Sequence, residues 1–133
     1  MNLKTVGYYK EMPHGRETDP SIFDFIHKES SKKIKKICHY LEQGTTFIVT
    51  PGSVNDIIKP ENGIIGVPNA YTDGEWLWPG DLAYYVRTYA LKLPDDFVET
   101  MHKNMWHNTF VLNMDEYDSI TIDNEVVFKR AES

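Results

Sequence analysis

Apolar residues recur along this chain in two rhythms, and each change of rhythm marks a new element. Leu3 to Tyr9 is rich in β-branched and aromatic side chains and predicts a strand, which the mostly polar stretch from Pro13 to Pro20 follows as a loop. Ser21 is placed to cap a short helix through Ile22, Phe23, Phe25 and Ile26. A clearer helix follows Ser30 or Ser31. There Ile34, Ile37, Cys38 and Leu41 fall at i, i+3, i+4 and i+7, and Gly44 stands where a left-handed terminator belongs. Thr45 to Thr50 reads as a strand that Pro51-Gly52 breaks, and Ser53 opens a helical turn through Val54, Ile57 and Ile58 that ends at Pro60.

From Gly63 to Pro79 the pattern predicts a hairpin closed by Asp73-Gly74 in a primed two-residue turn. That register sets Thr72 opposite Glu75, Tyr71 opposite Trp76 and Asn69 opposite Trp78. Tyr71, Trp76 and Trp78 then share one face, and Ala70 and Leu77 take the other. Asp81 caps a helix with the stripe Leu82, Tyr85, Val86 and Tyr89, leaving Tyr84 to the side. Leu93-Pro94 starts another, whose first turn carries Asp95, Asp96 and Glu99 at the positive end of the dipole, with His102, Lys103 and His107 towards the other end. Its buried face is Phe97, Val98, Met101 and Met105. Thr109 to Met114 and Asp118 to Lys129 read as strands, the second folded back at Asp123-Asn124. Irregular alternation of strands and helices, with hairpins and without a dinucleotide-binding glycine fingerprint, predicts an α+β fold: helices packed on a mostly antiparallel sheet in a single domain, 1–133.

A chain of 133 residues, 41% hydrophobic and 26% charged, has the size and composition to bury one core without staples. Cys38 is the sole cysteine, which excludes an intrachain disulfide or a thiolate-cluster zinc site and suits a reducing compartment. No secretory apolar segment opens the chain and no run is long enough to cross a bilayer, so a cytoplasmic location away from membranes is expected. The net charge of −6 is unevenly spread. Pro60 to Val86 has no Lys or Arg but carries Glu61, Asp73, Glu75 and Asp81; the carboxyl-terminal part adds Asp115, Glu116, Asp118, Asp123 and Glu125. Basic residues gather at Lys28, Lys32, Lys33, Lys35 and Lys36. An acidic surface repels phosphate backbones and steers cationic proteins, so a basic protein is the expected partner and nucleic acid is not; the plainer account is solubility.

Chemistry is sparsely signalled. The histidines at 14, 27, 39, 102 and 107 form no metal-ligand spacing, and an enzyme would need a cleft that brings together distant groups such as His39, His102 and Asp81. Cys38 lies on the apolar stripe of a helix, where burial raises a thiol's pKa. Asp95 and Asp96 suit a helix start, and Asp73 and Asp81 suit a turn and a cap. Lys32 to Lys36 read as a solvated helix face or a phosphate-binding patch. No phosphate loop or nucleophile elbow occurs, and no cofactor, metal or catalytic residue is expected.

The densest stretch is Thr72-Asp-Gly-x-Trp76-x-Trp78-Pro-x-Asp81-Leu-x-Tyr84-Tyr-Val86, then Tyr89 and Leu93-Pro-x-x-Phe97, preceded by Gly7-Tyr-Tyr, Ser21-Ile22 and Tyr40-Leu41. This pattern resembles that of small bacterial proteins similar to the immunity proteins of polymorphic and contact-dependent toxin systems. It covers roughly residues 1–105 and leaves 106–133 as a β-rich extension. The resemblance implies a non-catalytic protein that binds and neutralises a cognate toxin domain, and it implies no catalytic residue. Core packing accounts for most of the rings; those that reach the surface beside carboxylates are candidate anchors. The candidate partner-binding residues are Asp73, Glu75, Trp76, Trp78, Asp81 and Tyr84, with Asp115, Glu116, Tyr117 and Asp118 as a second patch. The alternative is an adaptor or small-molecule-binding domain with Trp76, Trp78 and Tyr85 lining a pocket.

Overall fold

The first strand of the chain lies inside the sheet rather than at its edge. In this computed structural model, which describes residues 1–131, β1 (Asn2–Thr5) is followed by α1 (Ser31–Glu42), β2 (Thr45–Ile48), β3 (Val54–Asn55) and β4 (Ile64–Gly66). Then come β5 (Ala70–Thr72), β6 (Trp76–Pro79), α2 (Leu82–Tyr89), α3 (Asp95–Lys103), β7 (Ser119–Ile122) and β8 (Glu125–Lys129). The main sheet runs β2-β5-β6-β1-β7-β8; β1 is parallel to both neighbours and the other three pairings are antiparallel. β3 and β4 make a separate two-stranded ribbon. This is the α+β architecture expected, and β7 brings the carboxyl-terminal segment into the same sheet against β1.

Period-two alternation divides the sheet into two faces. Trp76 and Trp78 point to the face that carries the helices, where they join Ile37, Tyr40 and Leu41 of α1, Leu82, Tyr85, Val86 and Tyr89 of α2, and Phe97 and Met101 of α3. Leu3, Ala70, Leu77 and Ile120 point the other way and pack with Phe47, Tyr117, Ile122 and Phe128. Burying each large apolar side chain contributes roughly 1.5–3 kcal/mol, so the helix-bearing face supplies most of the packing energy.

Local departures from the expected elements each have a cause. β1 stops at Thr5 because Gly7 takes φ +79° and the chain turns beneath α2, where a Cβ on Gly7 would sit 2.6 Å from Leu82 Cδ2. Ser21 does not cap a helix. Its hydroxyl donates to Glu11 Oε2 (2.7 Å) while the Ile22 amide donates to Glu11 Oε1 (2.7 Å), leaving only a 3-10 turn over Ile22–Asp24. Gly44 is not left-handed. It is needed for space, since a Cβ there would lie 2.6 Å from Tyr71 Cβ and 2.8 Å from Trp78 Cζ2. The helical turn expected at Val54 to Ile58 is β3 and a bend, followed by a 3-10 turn over Pro60–Asn62.

The carboxyl-terminal part shows both outcomes. Met105 is exposed rather than buried, because Met105 and Trp106 turn left-handed (φ 55° and 62°) and carry the chain away from α3. Among the described residues Thr109 to Met114 pairs with no strand; it is held by contacts such as Thr45 Oγ1 donating to the Phe110 carbonyl (2.7 Å). The last hairpin forms as expected, with Asp123 (φ 48°) and Asn124 (φ 71°) in the left-handed region that a primed turn requires.

Candidate functional site

The β5–β6 hairpin pairs Thr72 with Leu77 and Tyr71 with Trp78, so its loop is two residues longer than expected. Asp73 is the reason. Its Oδ1 accepts the amides of Glu75 (3.0 Å) and Trp76 (2.7 Å), and its Oδ2 accepts the Tyr40 hydroxyl (2.6 Å). The Thr72 hydroxyl donates to the Trp76 carbonyl (2.7 Å) and accepts the Gly74 amide (3.0 Å). These bonds outcompete the tight turn. A shift of two preserves parity, so Tyr71, Trp76 and Trp78 keep the shared face that alternation assigned to them.

Burial changes the part these residues can play. Trp78 is enclosed, its indole donating to the Leu41 carbonyl (3.2 Å), and both tryptophans pack on Phe97 with ring centroids 5.2 and 5.4 Å away. Asp81 heads α2 without forming a cap bond; among the described residues its Oδ1 has no partner, and burial pushes its carboxyl up to about 6. Asp73, Trp76, Trp78 and Asp81 therefore belong to the interior. They are not surface anchors or steering groups, because the gap between sheet and helices has absorbed them. No histidine hydrogen-bonds Asp81 among the described residues, while His39 lies edge-on to His107 (5.5 Å) and His102 to Trp106 (6.1 Å).

Of the other expected contact residues, Glu75 is exposed, accepting from Thr100 Oγ1 (3.3 Å) and pairing with Lys4 (3.8 Å). Tyr84 is half-buried and donates to Asp56 Oδ2 (2.9 Å). Asp115 and Glu116 are exposed on a 3-10 turn, Asp118 is exposed near Arg130 (3.8 Å), and Tyr117 packs into the second core cluster. Among the described residues, no hydrogen bond or ion pair joins this second patch to Glu75.

Thr100 draws the first group together. The Trp76 indole donates to Thr100 Oγ1 (3.0 Å), whose single proton is shared between the Asp96 carbonyl (3.2 Å) and Glu75 Oε2 (3.3 Å), so one hydroxyl of α3 holds the tryptophan and borders Glu75. Beside them is a cavity of about 230 Å³ between the chain that follows β1 and the head of α3. Tyr8, Tyr9, Phe25 and Trp76 form its aromatic wall, and Asp19 and Asp96 also line it. Trp76, Trp78 and Tyr85, expected to line one pocket, are all buried, and among the described residues none of the three cavities brings them together. Trp78 borders a separate depression with Leu41 and Tyr71, and the Tyr85 hydroxyl is held in the core between the Asn55 carbonyl (3.3 Å) and the Ile57 amide (3.1 Å).

Two further features lie apart from this surface. Lys35, Cys38, His39 and Arg87 border an open groove between α1 and α2, with Cys38 buried and its thiol pushed up by that burial. Asp56, which periodicity does not single out, is sealed beneath Tyr84 and Tyr89, and its only local signature is an Asx turn to the Ile58 amide (2.8 Å). Among the described residues no three His, Cys, Asp or Glu side chains converge as metal ligands would, and no helix is long and apolar enough to cross a membrane.

What fold and geometry define together is an α+β domain with an aromatic-walled cavity set beside the acidic head of a helix. Compared with protein-family models, with curated proteins and with solved structures, the chain matches none.

Proposed function

We propose that this protein is a non-catalytic inhibitor of the immunity type, which binds a cognate toxin domain in the cytoplasm and blocks it. One observation carries the reading: Glu75 is exposed at the Trp76–Thr100 contact, Asp96 is exposed at the cavity that Trp76 also lines, and Asp95 and Glu99 are exposed on the same helix as Asp96. Carboxylates fixed in this way steer a cationic surface and set its orientation, while a preorganised scaffold limits the entropy lost on docking. The resemblance of the Thr72 to Phe97 pattern to toxin-immunity proteins points the same way. So does the commitment of Asp73 and Cys38 to the folded interior. Asp115, Glu116 and Asp118 supply a second acidic contact area on the same account.

The test is direct binding to the toxin domains encoded beside the gene, together with relief of their toxicity on co-expression. A complex of submicromolar affinity is expected, with an association rate that falls as salt rises. The pair Glu75→Lys and Asp96→Lys should weaken it by about tenfold or more. Absence of any complex at micromolar concentrations would sink the reading. A small-molecule-binding domain is the second reading, favoured by the cavity beside Trp76. A metabolite that stabilises the protein to heat, with no toxin bound, would select it.

A further inference from the structure

We propose that the cavity beside Trp76 is a receptor for an organic cation, an ammonium or guanidinium group carried on a short apolar stem. The rings of Tyr8, Tyr9, Phe25 and Trp76 present a predominantly apolar wall, and the faces of such rings carry negative quadrupole potential that attracts a desolvated cation. The Trp76 ring already meets one cation outside the cavity lining: the half-exposed Lys4 ammonium sits 5.1 Å from its centroid.

The charges around the cavity point in the same direction. Asp19 and Asp96 line it against one cation, Lys92, whose ammonium is held by Asp95 at 3.1 Å. Asp19 is engaged by Arg16 (3.2 Å), whereas Asp96 has no ion-pair partner among the described residues. Burial pushes the Tyr8 hydroxyl up to about 12, a penalty that falls on a charge of either sign; the smaller push from Asp81 and Asp19 is the part that favours a cation over an anion.

Size sets the class more closely. About 230 Å³ falls below the roughly 300–1,000 Å³ of sites for drug-sized ligands, so the cavity suits a small amine or one side chain rather than a nucleotide cofactor. The cation has two possible sources, a free alkylamine or guanidine and a Lys or Arg side chain of a protein partner. The proposal rests on the cavity itself, and it deepens the inhibitor reading through the second source.

The experiment follows the Trp76 indole resonance by NMR in the whole protein, assigned through Trp76→Phe. The probes are n-butylammonium, n-butylguanidinium, N-acetyl-arginine amide, n-pentanol and valerate. Saturable shifts with the cations are expected, at affinities about tenfold or more above those of pentanol and valerate. Asp96→Asn keeps a side-chain acceptor for the Phe97 amide and should weaken only the cations, by severalfold. Phe25→Leu, which keeps apolar bulk but loses the ring face, should do the same. Tighter binding of the free amines than of the arginine amide would assign a metabolite as the source, and the reverse a protein side chain. Equal response to pentanol, tighter binding of valerate, or no response to any probe would overturn the proposal. A toxin complex formed by a protein whose cavity ignores cations would end the cavity proposal alone. Cation binding without a toxin complex would end the inhibitor reading alone.

Discussion

Asp56 and Asp81 are almost equally shut away from solvent, at 1% and 3% exposure, yet their environments treat charge in opposite ways. Asp56 is surrounded by donors. Its Oδ1 accepts the amides of Ile58 (2.8 Å) and Lys59 (2.9 Å), and its Oδ2 accepts Tyr89 (2.6 Å), Tyr84 (2.9 Å) and Asn62 Nδ2 (3.0 Å). Burial opposes its charge, but these bonds overcome it and hold the carboxyl well below the ordinary range. Asp81 has an Oδ1 with no partner among the described residues, and there burial prevails. Burial alone therefore does not set the state of a carboxylate; the number of donors aimed at it does. The two also differ in their structural work. Asp56 ties the β3–β4 ribbon to α2, whereas Asp81 stores a cost at the head of that same helix.

The largest effect should come from emptying the satisfied site. Asp56→Ala leaves two tyrosine hydroxyls, an amide side chain and two backbone amides without their shared acceptor, a loss of about 3–5 kcal/mol by the measure of other broken buried networks. Chemical denaturation reads it, and a loss under 1 kcal/mol would mean that the network holds little together. The pH dependence has a definite sign. The folded pKa lies below the unfolded value of about 3.9, so this stabilisation is present above that value and disappears as pH falls through the depressed one. The alanine variant should lack that part of the acid limb.

Asp81→Asn should act in the other direction. With the folded pKa near 6 and the unfolded one at about 3.9, the folded state binds the proton more tightly, so wild-type stability falls as pH rises through that window. The neutral amide escapes the penalty, and the variant should be more stable by about 1–3 kcal/mol at pH 7 or above. The difference should shrink as pH drops to about 4, where wild-type Asp81 is protonated in the folded state. Parallel melting curves at high and low pH check this; a constant offset between the proteins would show that Asp81 does not titrate as its surroundings dictate.

The contrast also separates what the sequence makes legible from what it hides. The α1 and α2 stripes, the left-handed Asp123-Asn124 turn and the shared face of Tyr71, Trp76 and Trp78 all follow from spacing, because periodicity and turn chemistry are local. The loop length of the β5–β6 hairpin does not, since Asp73 is claimed by Tyr40, 33 residues earlier. Asp56 is hidden for the same reason. Its hydroxyl partners lie 28 and 33 residues later, so Val54 to Ile58 reads as a helical turn although the tertiary network makes it a strand and a bend. At the candidate site, Glu75 and the helix-start carboxylates are legible as acidic surface, but the cavity is not: Tyr8, Tyr9 and Phe25 meet Trp76 only once β1 has paired with β6.

The smallest effects resolve how the donors divide the work at Asp56. Tyr89 is buried and its hydroxyl is the nearest of the three side-chain donors, at 2.6 Å; Tyr84 is half-exposed and donates at 2.9 Å. Burial and Asp56 together push both phenols up, which marks the hydroxyl protons as held by the carboxylate. Tyr89→Phe should cost about 1.5–2 kcal/mol, because the acceptor loses a charge-assisted bond where water is excluded. Tyr84→Phe should cost about 0.5–1 kcal/mol, since water can replace part of a bond nearer the surface. The double variant sharpens the point. If the donors strengthen one another as one network around a single charge, its loss should fall short of the sum of the two, and a double-mutant cycle measures that shortfall. Strict additivity would reduce Asp56 to a set of independent contacts and remove the cooperative side of its difference from Asp81.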